Sequence, residues 1–397
     1  MSSNSAGRRK KITFRRGLAV LSAVLMVSAC GGTDKKAEAD SVPDSVVIPA
    51  LIPMTGAAAV VGKQMANGLE IWADEHNANV KDTGLPKVDF EIADSQADSN
   101  VAVQAYQRLR AKHPSPVLFS TYTNVGAAIA PFVARDGVVV LQAGQGTRTP
   151  ELGDSYIQTI SSIAAQVDAV LKVGVEKRGF KDVVMIAPDD DVAFTDEAKR
   201  ISEETCPELG CELLEFVPQS PDGSDGSLAA IKAQRKNPGA ILILGVPTQI
   251  EPVLKQLRVD KYDGPILGLT DFSNVFAGGN IELLETAMWA GFYVDMEAPA
   301  TKSFIDETQK RFNIEPQTYA YAAYKTGQMI DAMLAHMQEN DMSWTAEAVQ
   351  EAIQAVRVDT VAGTLKVGND RRIHEPISVS VLKGDQPEII EIVEPEE

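Results

Sequence analysis

Few residue groups in this sequence have the types and spacing that chemistry needs. The densest carboxylate cluster, Asp189-Asp190-Asp191, could bind a cation or a ligand amine, or could form a solvated turn with helix-capping carboxylates. The sequence contains no Gly-x-Ser-x-Gly elbow, phosphate-binding loop or His-Glu-x-x-His motif, and its histidines lack metal-ligand spacing. We therefore predict a protein that is not an enzyme and that has no metal site and no cofactor.

Two cysteines, Cys206 and Cys211, flank the short segment 207–210. In an oxidising compartment such a pair can close a small disulfide loop, which is the pairing we predict. Two free thiols are the alternative, and a metal site is a third possibility that would need further ligands.

Polar and small residues collect directly after several predicted strands, and this is the strongest functional pattern. The clusters are 54–56, 120–124, 143–149, 189–195, 246–249 and 270–274. In open α/β sheets, ligands bind beyond the carboxyl ends of the strands, where helix N-termini offer free backbone N–H groups. The pattern therefore favours binding of a small molecule.

The elements that would position these clusters alternate between short β-branched runs and amphipathic helices, which predicts an α/β fold with doubly wound parallel sheets. The C-terminal residues 363–393 read instead as strand pairs around turns at 368–370 and 383–385. The predicted strands before that region are 46–52, 88–93, 117–121, 138–142, 182–187, 212–217, 240–246, 266–270 and 288–294.

Length and charge limit the classes of function. The chain has 397 residues, of which 44% are hydrophobic, with 37 basic and 55 acidic residues and a formal net charge of −18. This length suggests two or three domains. The acidic balance argues against a nucleic-acid partner, because binding to nucleic acid depends on neutralising phosphates with Lys and Arg.

The N-terminus has the organisation of a secretory signal. A basic stretch from Arg8 to Arg16 precedes the apolar run from Gly17 to Ala29, which is too short to span a bilayer. The run ends in Val-Ser-Ala before Cys30 and resembles a bacterial lipobox, in which the cysteine is lipidated. We predict a signal peptide over 1–29, a lipidated Cys30 with a flexible tether over 30–45, and an extracytoplasmic lipoprotein anchored to the membrane through Cys30.

Five segments in chain order resemble the leucine/isoleucine/valine-binding family of type I periplasmic binding proteins. The first, 48–78, has a strand, the residues Met54-Thr55-Gly56, and a helix ending in an acid-x-Asn pattern. The others are a strand with an Asp followed by a helix at 88–109, a strand with a hydroxyl loop at 118–144, the start of a second lobe at 183–200, and a late helix at 319–334.

This resemblance implies two lobes joined by three crossovers near 159–162, 293–297 and 362–365. The lobes would be 46–158 plus 296–361 and 159–295 plus 362–393. It also implies a monomeric receptor that captures an amino acid, amide or carboxylate-like ligand between the lobes and delivers it to the membrane permease of an ABC importer. The alternative is a binding protein of the same fold that signals to a membrane receptor or kinase.

The resemblance also implies the ligand contacts. The hydroxyl loop would hold a carboxylate, with Thr123 as the nearest counterpart of the family residue. The family acid that binds the ligand ammonium group corresponds in position to Thr270, and Asp271 lies one position further on. Thr121, Thr123 and Asn124 could instead cap a helix, as could Asp271, and Phe194 could belong to the core. The predicted contacts are Thr121, Tyr122, Thr123, Asn124, Gly146, Thr147, Phe194, Val246, Thr270 and Asp271.

The sequence departs from the family pattern at two aromatic positions, which are Val61 and Val246 here. A buried ammonium group needs a paired carboxylate. The ligand therefore either has its cation held by Asp271 or carries no α-amino group.

Overall fold

The computed structural model describes residues 41–56, 58–146, 148–189 and 192–395. The predicted signal peptide, Cys30, most of the tether and Thr147 lie outside these residues. Within them the chain forms two main β-sheets with helices packed against them.

The first sheet is entirely parallel and has the strand order β2-β1-β3-β4-β5. Its strands are β1 (Ser45–Ile52), β2 (Lys87–Asp94), β3 (Val117–Thr121), β4 (Val139–Ala143) and β5 (Tyr156–Gln158). The helices that connect them are α1 (Ala59–Thr83), α2 (Ser99–Lys112) and α3 (Thr123–Asp136). Every residue of β3 and β4 is buried, as expected for continuous apolar strands that are covered on both faces.

The second sheet has the order β14-β13-β10-β9-β8-β6-β7, so that β14 and β7 form its edges. Its parallel part contains β6 (Asp182–Pro188), β7 (Glu212–Gln219), β8 (Ala240–Ile243), β9 (Ile266–Gly268) and β10 (Ala287–Phe292), and the antiparallel strands β13 (Ile377–Lys383) and β14 (Gln386–Val393) extend it. The intervening helices are α4 (Ile163–Arg178), α5 (Val192–Leu209), α6 (Gly226–Gln234), α7 (Pro247–Val259) and α8 (Asp271–Ala277).

Three further helices follow β10 and lead back to the first sheet. They are α9 (Pro299–Phe312), α10 (Thr318–Glu339) and α11 (Ala346–Ala355). Helices α9 and α10 pack on α1, while α11 contacts β4. The chain then forms a small hairpin of β11 (Arg357–Thr360) and β12 (Gly363–Lys366) before it enters β13.

The α/β fold class predicted from the sequence is confirmed, and the nine predicted strands correspond to nine of the first ten. The pattern does not predict β5, which has only three residues. At the C-terminus, β13 and β14 pair around the predicted turn at 383–385. The predicted pairing around 368–370 is wrong in extent: only the bridge between Val367 and Ile373 forms there, because β12 pairs with β11 instead.

Three connecting segments lead between the elements around the two sheets. The first is 159–162 between β5 and α4, the second is 293–298 between β10 and α9, and the third is 367–376 between β12 and β13. Val361, Leu365 and Ile373 belong to the same core cluster as the first sheet and α10. Among the described residues, no helix is both long enough and apolar enough to cross a membrane.

Helices α1 and α10 pack very closely. A Cβ atom added to Gly68 would lie 2.2 Å from the carbonyl oxygen of Ala320, and one added to Gly327 would lie 2.3 Å from the ring of Trp72. Beside this contact, the Trp72 Nε1–H donates to Asp331 at 2.7 Å, and the buried His76 places Nδ1 2.5 Å from the other carboxylate oxygen of Asp331. The glycines therefore allow a close helix pair that carries a partly buried polar network.

Both ring nitrogens of His76 face acceptors in this network. Its Nε2 lies 2.7 Å from the carbonyl oxygen of Pro86, which can only accept, so the surroundings favour the protonated ring, in which both nitrogens donate. Burial lowers the pKa of His76, but the hydrogen bonds to Asp331 and Pro86 outweigh burial and raise the pKa above its usual 6.5.

We expect this histidine to make stability depend on pH. Because the pKa is higher in the folded chain, the contribution is complete below about pH 6.5 and disappears as the pH rises through the folded value. Urea unfolding of the full chain between pH 6 and 9 should show this loss, and His76→Gln should reduce it. An unchanged slope in the variant would contradict the assignment.

The two cysteines are near each other and buried. Both are free thiols in the structure, so the predicted disulfide is not formed here. The backbone N–H of Cys211 donates to the carbonyl oxygen of Cys206 at 2.8 Å, which closes the turn after α5. Burial raises the pKa of the Cys206 thiol well above its usual value, and its contact with Cys211 adds to this effect.

Candidate ligand-binding cavity

A cavity of about 400 Å³ lies between elements of the two sheets. On the side of the first sheet, the cavity is lined by the start of α1, the loop after β2, the start of α3 and the loop after β4. On the side of the second sheet, it is lined by the segments that follow β6, β7, β8 and β9. Tyr319 of α10 also lines it. These are the carboxyl ends of parallel strands, where α/β sheets place their ligands. The cavity is of a size that suits a small organic molecule.

The wall near α3 carries hydrogen-bond donors. Helix α3 begins at Thr123, and the N–H groups of a first helical turn have no acceptor within the helix. Thr123 Oγ1 accepts a hydrogen bond from the Gly146 N–H at 3.0 Å, which leaves its own hydroxyl proton available. Tyr122, just before the helix, has a positive φ of 63°, a backbone conformation that bulky residues rarely adopt.

Gln145 adds another donor to the same wall. Its carbonyl oxygen accepts from the Ile163 N–H at 2.6 Å, so the backbone of the loop is held against the start of α4. Its side-chain Nε2 is buried and has no hydrogen-bond partner among the described residues. A buried donor without a partner is costly unless a ligand or water satisfies it.

The opposite wall carries a carboxylate. Asp271 accepts hydrogen bonds from the Tyr319 hydroxyl at 3.0 Å and from the Asn274 amide at 3.0 Å. Burial raises the pKa of Asp271 to about 6, although these two hydrogen bonds act to lower it. The other charged side chain among the described lining residues is Asp222, which is exposed at the rim.

The two halves of the cavity also touch directly beside Asp271. Gln64 of α1 donates to Asn274 of α8 at 2.9 Å and accepts from the Tyr319 N–H at 3.2 Å. Together with the bond from Tyr319 to Asp271, these contacts join α1 and α10 to α8. The carboxylate is therefore held in place by residues from both sides.

The structure brings together six of the residues that the sequence singles out. They are Tyr122, Thr123, Asn124, Phe194, Val246 and Asp271. Gly146 lies behind Thr123 rather than on the wall. Thr121 and Thr270 lie outside the lining: both are fully buried, Thr121 donating to the Leu51 carbonyl oxygen and Thr270 to Gln166.

Other lining residues are not singled out by the sequence pattern. Tyr319 of α10 and Met65 of α1 are both buried while they also face the cavity. Gln145 lies between two glycines in a loop, where the only available indication was its place after a strand. Among the described residues, no group of three or more His, Cys, Asp or Glu side chains could hold a metal ion.

The family model described as periplasmic binding protein matches residues 45–386. The chain belongs to this family. No curated protein matches this sequence.

Solved structures show the same fold at low sequence identity. A solute-binding protein of an ABC transporter from Rhodopseudomonas palustris, in complex with 3,4-dihydroxybenzoic acid, is 18% identical with a TM-score of 0.78, covering 89% of this chain and 99% of its own. The leucine-binding protein LivK from Thermotoga maritima is 19% identical with a TM-score of 0.76, covering 88% and 99%. LivJ from Streptococcus pneumoniae, in complex with isoleucine, is 18% identical with a TM-score of 0.76, covering 88% and 100%.

Proposed function

We propose that this periplasmic binding protein is the extracytoplasmic receptor of an ABC importer and that it captures a small polar organic ligand in the cavity. The observation that carries the proposal is the cavity itself, which both sheets line with donors at one wall and a carboxylate at the other. The ABC-transporter proteins of the same fold support it. The protein acts as a monomer, without catalysis.

The chemistry of the walls defines the ligand. Thr123, Gln145 and the first N–H groups of α3 suit a carboxylate or carbonyl oxygen, because charge-assisted hydrogen bonds compensate for its desolvation. Asp271 suits a cationic or neutral N–H group. An amino acid or an amide satisfies both walls, whereas a benzoate-like anion satisfies the donor wall alone.

A thermal-shift screen of the full chain tests this function. The panel contains aliphatic and aromatic amino acids, amides, urea and aromatic carboxylates. A ligand that binds only the folded state stabilises it by about 2.7 kcal/mol at a hundredfold excess over Kd, which raises the Tm. Thr123→Ala should reduce the shift for the same compound, because leaving a ligand oxygen without this partner costs about 1–3 kcal/mol. A panel without a single shift would refute the proposal, and an undiminished shift in the variant would refute the role of Thr123.

We also propose that the chain forms two lobes, which move relative to each other. The three connecting segments separate the first sheet with α9 to α11 from the second sheet with β13 and β14. The core position of Val361, Leu365 and Ile373 supports a third crossing at 374–376, later than the 362–365 that the family resemblance implies.

We propose that Cys30 is lipidated and holds the receptor on the outer side of a membrane. The short apolar run, the small residues before Cys30 and the tether after it support this anchor. Cys30→Ser should release the protein from the membrane fraction while its thermal-shift response stays at the level of the parent protein. Retention of the variant in membranes would contradict the anchor.

We propose that Cys206 and Cys211 become bridged after export, because their turn brings them together and an oxidising compartment favours the bond. A bond across so short a loop is expected to stabilise by about 2–3 kcal/mol at most. Intact mass spectrometry of exported protein should show no alkylation before reduction and two alkylated thiols after it. Two thiols that react in unfolded, unreduced protein would rule the bond out.

A further inference from the structure

An ion pair between Lys325 of α10 and Glu375 is almost completely removed from solvent. The side chains are 2% and 0% exposed. The second oxygen of the Glu375 carboxylate accepts from the Ser161 N–H at 2.8 Å and from the Ser161 hydroxyl at 2.5 Å. The carboxylate is therefore bound on both oxygens by groups that are distant in the sequence.

This cluster contains residues of two of the connecting segments and lies beside the start of the remaining one. Ser161 belongs to the first segment and Glu375 to the third. The ring of Phe292, the last residue before the second segment, has its centroid 5.7 Å from Lys325 Nζ. Next to it, the Tyr293 N–H donates to the Pro376 carbonyl oxygen at 3.4 Å.

The same cluster is two contacts away from the cavity. Ser161 follows Ile160, which lines the cavity. On the other side, Phe292 packs edge-on against Tyr319 with ring centroids 5.8 Å apart, and Tyr319 donates to Asp271. A shift of the cluster would therefore move side chains on the cavity wall.

Net stability does not explain such a pair. Replacing a buried ion pair by neutral side chains of similar volume is often neutral or stabilising, whereas removing one partner strands a buried charge. In some proteins a buried polar or charged group is retained because it fixes one arrangement among several. We infer that Lys325, Glu375 and Ser161 are positioning residues that fix the pivot about which the two lobes close over the cavity.

The test compares the double variant Lys325→Met/Glu375→Gln with a matched control. Met and Gln keep the side-chain lengths, and Gln can still accept from Ser161, so no unpaired charge remains. The control, Lys302→Met/Glu297→Gln, removes an exposed ion pair that begins in the second connecting segment, with a separation of 2.8 Å. All chains are full length and carry Cys30→Ser so that Cys30 takes no label.

The readout is the distance between spin labels at Val60→Cys on α1 and Leu228→Cys on α6. Both positions are exposed, at 54% and 48%, and they lie on opposite sides of the cavity, while the native cysteines are buried. A chain without the two new cysteines measures background labelling.

The double variant should keep its Tm yet show a longer and broader distance distribution than the control. If the closed form falls to about a tenth of the population, affinity for any compound found in the screen falls about tenfold. A distribution identical to that of the control, in a folded double variant, would overturn the inference.

If the double variant unfolds, the Ser161→Ala variant is used for the same distance measurement. An unchanged distribution in that variant would overturn the inference equally. The inference rests on the proposed function only in treating the cavity as the ligand site; the distances need no ligand, so each idea can fail separately.

Discussion

Asp271→Asn is expected to weaken binding of a cationic ligand and, at the same time, to stabilise the ligand-free protein. An ammonium group held at Asp271 would lose its counter-charge, a loss of about 2–5 kcal/mol in binding free energy. Without ligand, the ionised carboxylate destabilises the folded protein, because burial raises the pKa of Asp271 from 3.8 to about 6. This shift corresponds to up to about 3 kcal/mol of folding free energy at neutral pH.

The pH dependence follows from the direction of this shift. Because the folded pKa is the higher one, the parent protein loses stability as the pH rises from about 4 to about 6, and the variant does not. Cationic ligands should bind the parent more weakly below about pH 6 for the same reason. Calorimetry and thermal unfolding at pH 5 and 7.5 measure both effects.

Asp222→Asn is the matched control for this experiment, because Asp222 lines the same cavity but is exposed at its rim. It should change neither the Tm nor the affinity appreciably. Unchanged binding of a cationic ligand by the Asp271 variant would show that its cation lies elsewhere. For a purely anionic ligand, we expect the Asp271→Asn variant to bind with unchanged affinity.

Gly68→Ala is expected to destabilise the first lobe. The added methyl group would lie 2.2 Å from the backbone oxygen of Ala320, so α1 and α10 must separate. Such overpacking costs about 1–3 kcal/mol, which exceeds the gain of roughly 0.5–1 kcal/mol from replacing glycine by alanine in a helix. The separation would also disturb Gln64 and Tyr319, which these helices carry.

Gly278→Ala serves as the control, because the nearest atoms to its added methyl group are 3.4 Å away and its φ of −72° suits alanine. Urea unfolding of both variants should show a lower midpoint for Gly68→Ala alone. Equal midpoints would mean that the helices can adjust at little cost.

The fold could be predicted from the sequence because its signals are local. Runs such as VVMIA and AILI are continuous and apolar, and all their residues are buried in β6 and β8. The pairing of β11 with β12 could not be read in the same way, since the turn residues at 368–370 are an equally good local signal. In the structure β11 also packs against α10, a contact between distant segments that no local pattern indicates.

The cavity was predictable only where it follows strand ends. Thr123, Phe194 and Asp271 lie there, so the topology brings them together. Tyr319 could not be found by the same rule, because it belongs to a helix that returns from the second sheet to the first. The buried pair of Lys325 and Glu375 is equally hidden, since a Lys in a late helix and a Glu in a loop have no periodic pattern that links them.

The open edge of the second sheet has a consequence for molecules that are crowded together. Within the part of the chain that the structure describes, β14 pairs with β13 on one side only, and it exposes Ile389 and Ile392 at 44% and 42%. An unpaired, partly apolar edge can add strands from another copy and so begin aggregation. Pro387 cannot donate to such a partner, and the acidic side chains of Glu388 and Glu391 place like charges on the strand that a second copy would have to approach. These features oppose edge-to-edge assembly when copies of this protein are crowded together.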